Sequence, residues 1–568
     1  MLCCILFSFN LAFGQDANTS LRGIVKDPSG ALVAGAKVTL VNSANSKTLS
    51  AVSNTAGFYS FPQIPPASYI VTVLANGFGQ QSKTAELLVN QPATIDFALT
   101  VQASTVTVDV SAAAQTLNTS DATLGDSVGN TTIQALPMEG RDPIALLTLQ
   151  PGVLYLGNSS ENDTSDSRSG SVNGGRSDQG NITLDGMDDN DEINGTAFTG
   201  VLRSTLDSTE EFRVTTSNGT AASGRSSGAQ VSLLTKTGTN SYHGAAYEYY
   251  RPTNTVSNEW FNKYTELFLG EPNIPQHYVQ NTFGAAVGGP IKKDKLYFFL
   301  NYEGQRKAID DIVDQIVPTQ PFYSGSLGYL PSSGSTTPVW LNSSQVTALD
   351  SSNNAAAGAS PCQTNVACGP NPNVLNYYQP LNTAKYYGIL STVGDGVNNE
   401  GYVFASPAPS TLNTSIAKLD YDLTATQHLF FRGNLQKDTQ AGDENLPGQP
   451  ASFTHLDNTK GLAAGHTWTP TANIVNDLRY GYVRQGYSTR GIGTGSGDWV
   501  NFRFLAQPVS DALSTVVNVP VQNITDNLTL IKGNHTLSFG GNWRGIQNNR
   551  GTDANSYSGA STNPYWLY

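Results

Sequence analysis

Residues 280–304 read QNTFGAAVGGP, then IKKDK, then LYFFLNYEG. The first run places Phe283, Ala285 and Val287 on one side. The second places Leu296, Phe298, Leu300 and Tyr302 on one side and Asn301 and Glu303 on the other. Period-two alternation marks a strand with one apolar and one polar surface. The charged segment between the runs predicts a short turn, so the two strands fold back as a hairpin. Similar alternation returns through the last three hundred residues. Ala417, Leu419, Tyr421 and Leu423 alternate with Lys418, Asp420 and Asp422. Leu429, Phe431 and Leu435 alternate with Phe430, Arg432, Asn434 and Gln436, and Leu537, Phe539 and Trp543 with Thr536, Ser538, Asn542 and Arg544. Two architectures fit a long chain of amphipathic hairpins: an array of surface sandwiches or a membrane barrel.

The bulk numbers narrow this. The 568 residues include 55 Gly and 28 Pro, and only 13% are charged, about half the usual ~25% of a soluble protein. Strand and turn formers dominate. Mean hydropathy is −0.26, and beyond the N-terminus no apolar window reaches the ~20 residues of a spanning helix. A barrel strand needs only ~10 alternating residues, so a barrel stays open. The net charge of −13 and the lack of a basic patch argue against a nucleic-acid partner, because phosphate binding needs clustered Lys and Arg.

Residues 1–15, MLCCILFSFNLAFGQ, form a short apolar run ending in small residues, as a secretory signal does. Cys3 and Cys4 fall inside it. Cys362 and Cys368 lie in a Ser/Asn/Pro-rich stretch and are expected to close a small loop disulfide in an oxidising compartment.

Residues 20–100 carry short strands separated by Gly/Pro turns, which predicts a small β-sandwich. The succession Gly23-x-Val25, Gly35-Ala36-x-Val38, Ala56-Gly57-Phe58-Tyr59, Tyr69-x-Val71-x-Val73 and Gly77-Phe78 resembles a carboxypeptidase regulatory-like domain. Members of that family usually carry an acidic residue before the Ala-Gly and a Gly before the Tyr; here stand Asn54-Thr55 and Ala67-Ser68. Residues 101–119 follow as an extended Thr/Val segment without an evident partner strand. Its centre, Thr105, Val106, Thr107, Val108, Asp109 and Val110, resembles the TonB box of outer-membrane receptors. That resemblance implies a periplasmic energy-coupling protein of the TonB type that adds to the segment as a strand. Taken alone, the segment also reads as a last sandwich strand plus linker.

Residues 120–235 are mixed. Short helices are expected at Thr132–Pro137 and Pro143–Leu147, and strands at Glu210–Val214 and Gly228–Lys236. The order Leu136-Pro-x-x-Gly-Arg141, Leu149-Gln-Pro-Gly-Val153, Asn173-Gly-Gly-Arg176 and Leu184-Asp185-Gly186 resembles the plug of TonB-dependent receptors, closest to the Oar-like group. Arg141, Arg176, Asp185, Gly186, Asp188 and Asp189 are the plug-motif candidates. The fold class expected is therefore mainly β: an N-terminal sandwich, a mixed α/β plug and, over 236–568, an antiparallel transmembrane barrel. Tyr, Phe and Trp near strand ends favour the barrel over a sandwich, since such rings sit at membrane interfaces. About nine or ten strands against the ~22 of plugged transporters imply a barrel unfinished in this chain. Outer-membrane lipid and an extracellular ligand of unknown identity are the remaining partners implied.

Other constellations carry less. Gly224-Arg-Ser226-Ser-Gly228 spells a hydrolase elbow, but a β run follows it where a helix is needed. None of the six His (243, 277, 428, 455, 466, 535) has a Glu three positions away, as a zinc carboxypeptidase requires. Asp185, Asp188, Asp189, Asp191 and Glu192 form the densest acidic run. It reads first as a solvated loop, with a cation site or a contact to the barrel wall as alternatives. Gly491-Ile-Gly493-Thr-Gly495 lacks the third glycine of a dinucleotide loop. No cofactor and no enzymatic activity are expected. The function implied is an outer-membrane receptor that imports its ligand by plug rearrangement; the alternative is a cell-surface carbohydrate-binding or adhesive β-protein.

Overall fold

A computed structural model describes residues 18–101, 109–110, 122–138, 140–155, 170–175, 179–193, 200–219, 224, 228–270, 272–332, 335–356, 368–370, 389–391, 394–491, 498–502, 505–506, 514–533, 535–552 and 558–562. The signal candidate 1–15, Thr105–Val108, Arg176 and Cys362 lie outside these residues. Cys368 is disulfide-bonded.

The N-terminal strands form two packed sheets. One holds Thr19–Lys26, Phe58–Ile64, Ala93–Thr94 and Phe97–Ala98; the other runs in the order Thr48–Val52, Lys37–Asn42, Ala67–Leu74, Gln81–Leu87, Asp109–Val110. Alternate residues Leu21, Val25, Val38, Leu40, Val71 and Val73 are wholly buried between them. Gly57 makes the turn into Phe58–Ile64 at φ +64, where a Cβ would meet the Val25 carbonyl at 2.6 Å. The usual acidic residue of this turn is replaced without loss. The Asn54 side-chain oxygen accepts from the amides of Ala56 and Phe58 at 2.9 and 3.0 Å, an Asx-turn geometry that either side chain can supply. Asp109–Val110 pairs in parallel with Ser82–Lys83, so the described end of the Thr/Val segment has a partner strand and fits the reading of a last sandwich strand.

A separate sheet, the inner sheet, runs in the order Leu124–Gly129, Thr209–Ser217, Gln230–Thr235, Asn181–Leu184, Met187–Asp188. The helix Asn130–Ala135 and the 3-10 turn Pro143–Leu149 pack beside it, close to the expected spans. Ile133, Leu147, Phe212, Val214, Val231 and Leu233 build its core.

The largest sheet, the wall, has 14 strands among the described residues. Its main path runs antiparallel through His243–Pro252, Tyr278–Lys292, Leu296–Pro318, Ser410–Thr424, Gln427–Gln436, Lys460–Thr471, Ile474–Gly491, Thr515–Lys532 and His535–Ile546. The deciding hairpin forms as read: Ala285 pairs Tyr302 and Val287 pairs Leu300, with Asp294 at φ +59 in the turn. The strand Leu296–Pro318 continues well beyond the alternating run, because Asn399–Pro407 pairs with its outer half. Alternation sorts the wall. Tyr297, Phe299 and Asn301 are buried on one face, whereas Leu300, Tyr302, Leu419, Phe431 and Leu435 are exposed on the other. That inversion, polar groups inside and bare aliphatics outside, is the order of a barrel wall in lipid. No helix among the described residues is long and apolar enough to cross a membrane.

Candidate functional site

The inner sheet lies against the inward face of the wall, and the site is their junction. Asp185 and Gly186, at φ +51 and +76, form the two-residue turn of the hairpin Asn181–Leu184/Met187–Asp188, where Leu184 pairs Met187. Positive φ at both positions is the demand of this turn, which Asp-Gly meets. The turn drives the Asp185 carboxylate into a converging set of groups. Thr235 donates to it through its backbone N–H at 2.9 Å and its hydroxyl at 2.8 Å. From the wall, Lys418 Nζ and Arg432 Nε each stand 3.3 Å away, and Arg479 Nη1 donates to the Asp185 carbonyl at 2.9 Å. Burial alone would raise the pKa of Asp185, but Lys418 and Arg432 outweigh it and hold the carboxyl below its usual range.

The neighbouring acids reach other wall strands. Asp188 pairs with Arg544, and its N–H donates to Asn523 Oδ1 at 3.2 Å. Asp191 accepts from Gln485 Nε2 at 2.9 Å. Asp189 faces inward: its Oδ1 accepts the Leu202 amide at 2.9 Å, and its Oδ2 has no protein hydrogen-bond partner. Burial pushes its carboxyl up to about 8. Asp185, Asp188, Asp189 and Asp191 are all at most 5% exposed, which overturns the reading of this run as a solvated loop. Local composition suggested hydration; the wall cations that replace water come from strands more than two hundred residues away. Among the described residues no cluster with metal-ligand grouping occurs.

Arg141 makes a separate bridge at φ +52. Its guanidinium lies 2.9 Å from Asp207 and 3.3 Å from Glu303 of the wall, and 4.8 and 4.4 Å from the ring centres of Tyr247 and Tyr249. Arg203 reaches Asp438 at 2.6 Å. Wall glycines admit the inner sheet: a Cβ at Gly481 would sit 2.7 Å from Met187 Sδ, and one at Gly461 2.5 Å from Leu202 Cδ1. Several buried polar atoms at this junction, including Asn301 Nδ2, Arg432 Nη1, Asn434 Oδ1 and Gln485 Oε1, lack a protein hydrogen-bond partner. An incompletely paired polar contact holds less firmly than an apolar core.

The sandwich meets the opposite rim, at the short turns. The Asn240 N–H donates to the Ala44 carbonyl at 3.0 Å and Lys47 pairs Asp422 at 2.5 Å. Gln63 Nε2 donates to Thr529 Oγ1 at 2.8 Å, and Asn18 bonds Asp477. It also touches the inner sheet, where both Glu211 oxygens accept the Val89 amide at 2.9 Å.

Of the candidates named from the sequence, the structure brings Asp185, Gly186, Asp188 and Asp189 to one turn and sets Arg141 apart from it. Sequence reasoning missed Arg432, Lys418, Arg479, Arg544 and Glu303 as partners. Lys418, Arg432, Arg544 and Glu303 were visible only as charged members of a strand's polar face. A cavity of about 560 Å³ opens on the outward, apolar side of the wall beside Leu300, Ala417, Gly433 and Leu462, away from the junction.

The family model described as an outer membrane beta barrel domain matches residues 234–564, and that of the carboxypeptidase regulatory-like domain matches residues 20–100. The TonB-dependent transporter Oar of Myxococcus xanthus is 25% identical over 263 residues, 44% of this chain and 23% of that protein. Among solved structures, the Escherichia coli outer membrane transporter YddB aligns with 75% of this chain and 48% of its own, at 10% identity and a TM-score of 0.45. The siderophore receptor PirA of Acinetobacter baumannii aligns with 75% and 48%, at 12% identity and a TM-score of 0.40. The chain thus spans under half the length of each of these proteins.

Proposed function

Since the chain belongs to the outer membrane beta barrel domain family, we propose that it acts in the outer membrane as a receptor that binds an extracellular ligand and imports it. In this reading residues 120–235 are a plug. A periplasmic energy-coupling protein of the TonB type pairs with Thr105–Val110 and pulls, and the plug rearranges within the wall. The observation that carries the reading is the junction at Asp185. Lys418, Arg432 and Arg479 from three wall strands converge on one plug turn, through charges and hydrogen bonds rather than an apolar core. Such contacts hold the plug in register, yet water can take them over one at a time once the turn moves.

The sandwich supports the same direction of action. It precedes the coupling segment and rests on the short turns, and in outer-membrane barrels the short turns face the periplasm. An adhesive protein would need the sandwich at the other end, so the alternative reading loses its main support.

The coupling segment tests the proposal. Strand addition depends on backbone donors, and Pro removes one while fixing φ. Val108→Pro is expected to leave surface binding of ligand intact and to abolish both its accumulation and crosslinking to the coupling protein, whereas Val108→Thr is tolerated. Equal uptake by the Pro variant and the parent would remove this segment from the mechanism.

A further inference from the structure

The connection between the wall strands His243–Pro252 and Tyr278–Lys292 lies at the end opposite the sandwich and contains a ten-residue helix, Trp260–Leu269. Glu259 caps its first turn by accepting the Asn262 amide at 2.9 Å. Gly270, at φ +76, closes its last turn. At 3.6 residues per turn, Trp260, Phe261, Tyr264, Leu267 and Phe268 share an arc of roughly 120°.

This helix is amphipathic in the wrong sense for water. Its polar side faces the protein. Glu266 is 9% exposed, and its carboxylate accepts from Asn258 Nδ2 at 2.7 Å and from the Ile274 amide at 3.2 Å. Asn262 donates to Asn258 Oδ1 at 2.8 Å. Its apolar side faces out: Trp260 is 65%, Tyr264 59%, Leu267 58% and Phe268 73% exposed. Trp260, Tyr264 and Phe268 stack as a ladder, with ring centres 5.4 and 6.4 Å apart and planes 12° and 15° from parallel. A rigid ladder presents one flat surface rather than three independent side chains.

We propose that the Trp260–Leu269 helix is an interfacial anchor, lying in the outer leaflet of the membrane with its aromatic ladder in the acyl-chain boundary. Three observations select lipid as the occupant. The exposed arc carries no charge, and Lys263 borders it where an ammonium group reaches back to phosphate head groups. Trp and Tyr are the side chains favoured at a membrane interface, with an apolar ring and a polar edge. The arc also continues the outward apolar face of the wall. Outward-facing Tyr250, 62% exposed, stands two residues before Pro252, and Phe283 lies on the same face, beside the single carboxylate of its pair partner Glu248. The helix thereby ties the first wall strand of the sheet to the outer boundary of the membrane, while its polar side orders the loop above the barrel mouth. This inference rests on the membrane barrel alone and not on transport.

Quenching by depth tests it. Bimane is attached at Tyr264→Cys or Phe268→Cys, with Asn254→Cys as an aqueous control, in the full chain with Cys3 and Cys4 replaced by Ser. The protein is reconstituted in phosphatidylcholine vesicles with or without acyl-brominated phosphatidylcholine. Emission at 264 and 268 is expected to be lost to brominated lipid and spared by iodide, with the reverse at 254. Leu267→Cys repeats the reading should a label at 264 disturb folding. Quenching of the arc by iodide alone would overturn the proposal and make it a surface for an aqueous ligand. Shielding from both quenchers would overturn it equally, since the arc would then be covered by protein.

Discussion

Arg432 Nε stands 3.3 Å from Asp185 Oδ2, with the two side chains only 1% and 3% exposed. One belongs to the wall and the other to the inner sheet, so their pairing is what registers one domain inside the other.

Cutting this pair from one side should cost more than its net worth. Removing one partner of a buried ion pair leaves the other charged and desolvated, at about 3–5 kcal/mol. Asp185→Ala strands Lys418 and Arg432 together and is expected to release the inner sheet at lower urea than the parent, read by protease cleavage within residues 120–235. The double variant Asp185→Asn, Arg432→Met should recover part of the loss. Additive losses would show that the two residues are not coupled.

The pH response should have two windows of opposite sign. Burial raises Asp189 to about 8 and Glu211 to about 7. A carboxyl that binds its proton more tightly when folded stabilises most below its ordinary range, and that stability is lost as pH rises towards the folded value. Seating of the inner sheet should therefore weaken as pH rises from the ordinary carboxyl values of 3.8 and 4.5 towards about 8. Asp189→Asn keeps an acceptor for the Leu202 amide and should flatten that slope. Asp185 is lowered, so its contribution is present above the ordinary carboxylate range and disappears only in stronger acid. Identical pH profiles for Asp189→Asn and the parent, measured by urea midpoint, would exclude Asp189 as the group responsible.

Gly481 should resist enlargement. A Cβ there comes within 2.7 Å of Met187 Sδ and 3.0 Å of Met187 Cβ, and overpacking a filled site costs about 1–3 kcal/mol. Gly481→Val is expected to loosen the inner sheet while leaving the wall folded, seen as unchanged β signal with faster proteolysis near Met187.

Leu300 and Asn301 should answer to opposite rules. Leu300 faces outward and Asn301 inward, and a cation on the lipid face near the bilayer centre costs about 2–4 kcal/mol. Leu300→Arg should depress refolding into vesicles, with Leu300→Phe neutral. If Leu300→Arg refolds as well as the parent, that face does not meet lipid.

The sandwich turn offers a smaller effect. Asn54→Ala forfeits two side-chain-to-amide bonds worth about 0.5–1.5 kcal/mol each, whereas Asn54→Asp keeps both acceptors. Thermal melting should rank parent and Asp together above Ala.

Alternation at Phe283–Tyr302, the Gly57 turn and the Asp185-Gly186 turn were all determined by the sequence itself, because each is a matter of neighbouring residues: a period of two, a positive φ, a hydrogen bond reaching two to four positions. The same local logic separated Leu419 and Phe431 from Lys418 and Arg432. It did not say which face met which solvent, since a sandwich and a barrel share one pattern with inside and outside exchanged. The aromatic residues near strand ends and the family resemblance chose the barrel, and the tertiary structure bears the choice out, with Tyr297, Phe299 and Asn301 buried and Leu300 left bare. The acidic run from Asp185 to Glu192 looked hydrated for the same reason: its counter-charges at Lys418, Arg432 and Arg544 lie in strands far along the chain. Only the packing of the wall against the inner sheet brings them within 4 Å, and Coulomb attraction at that distance depends on the fold rather than on the order of residues.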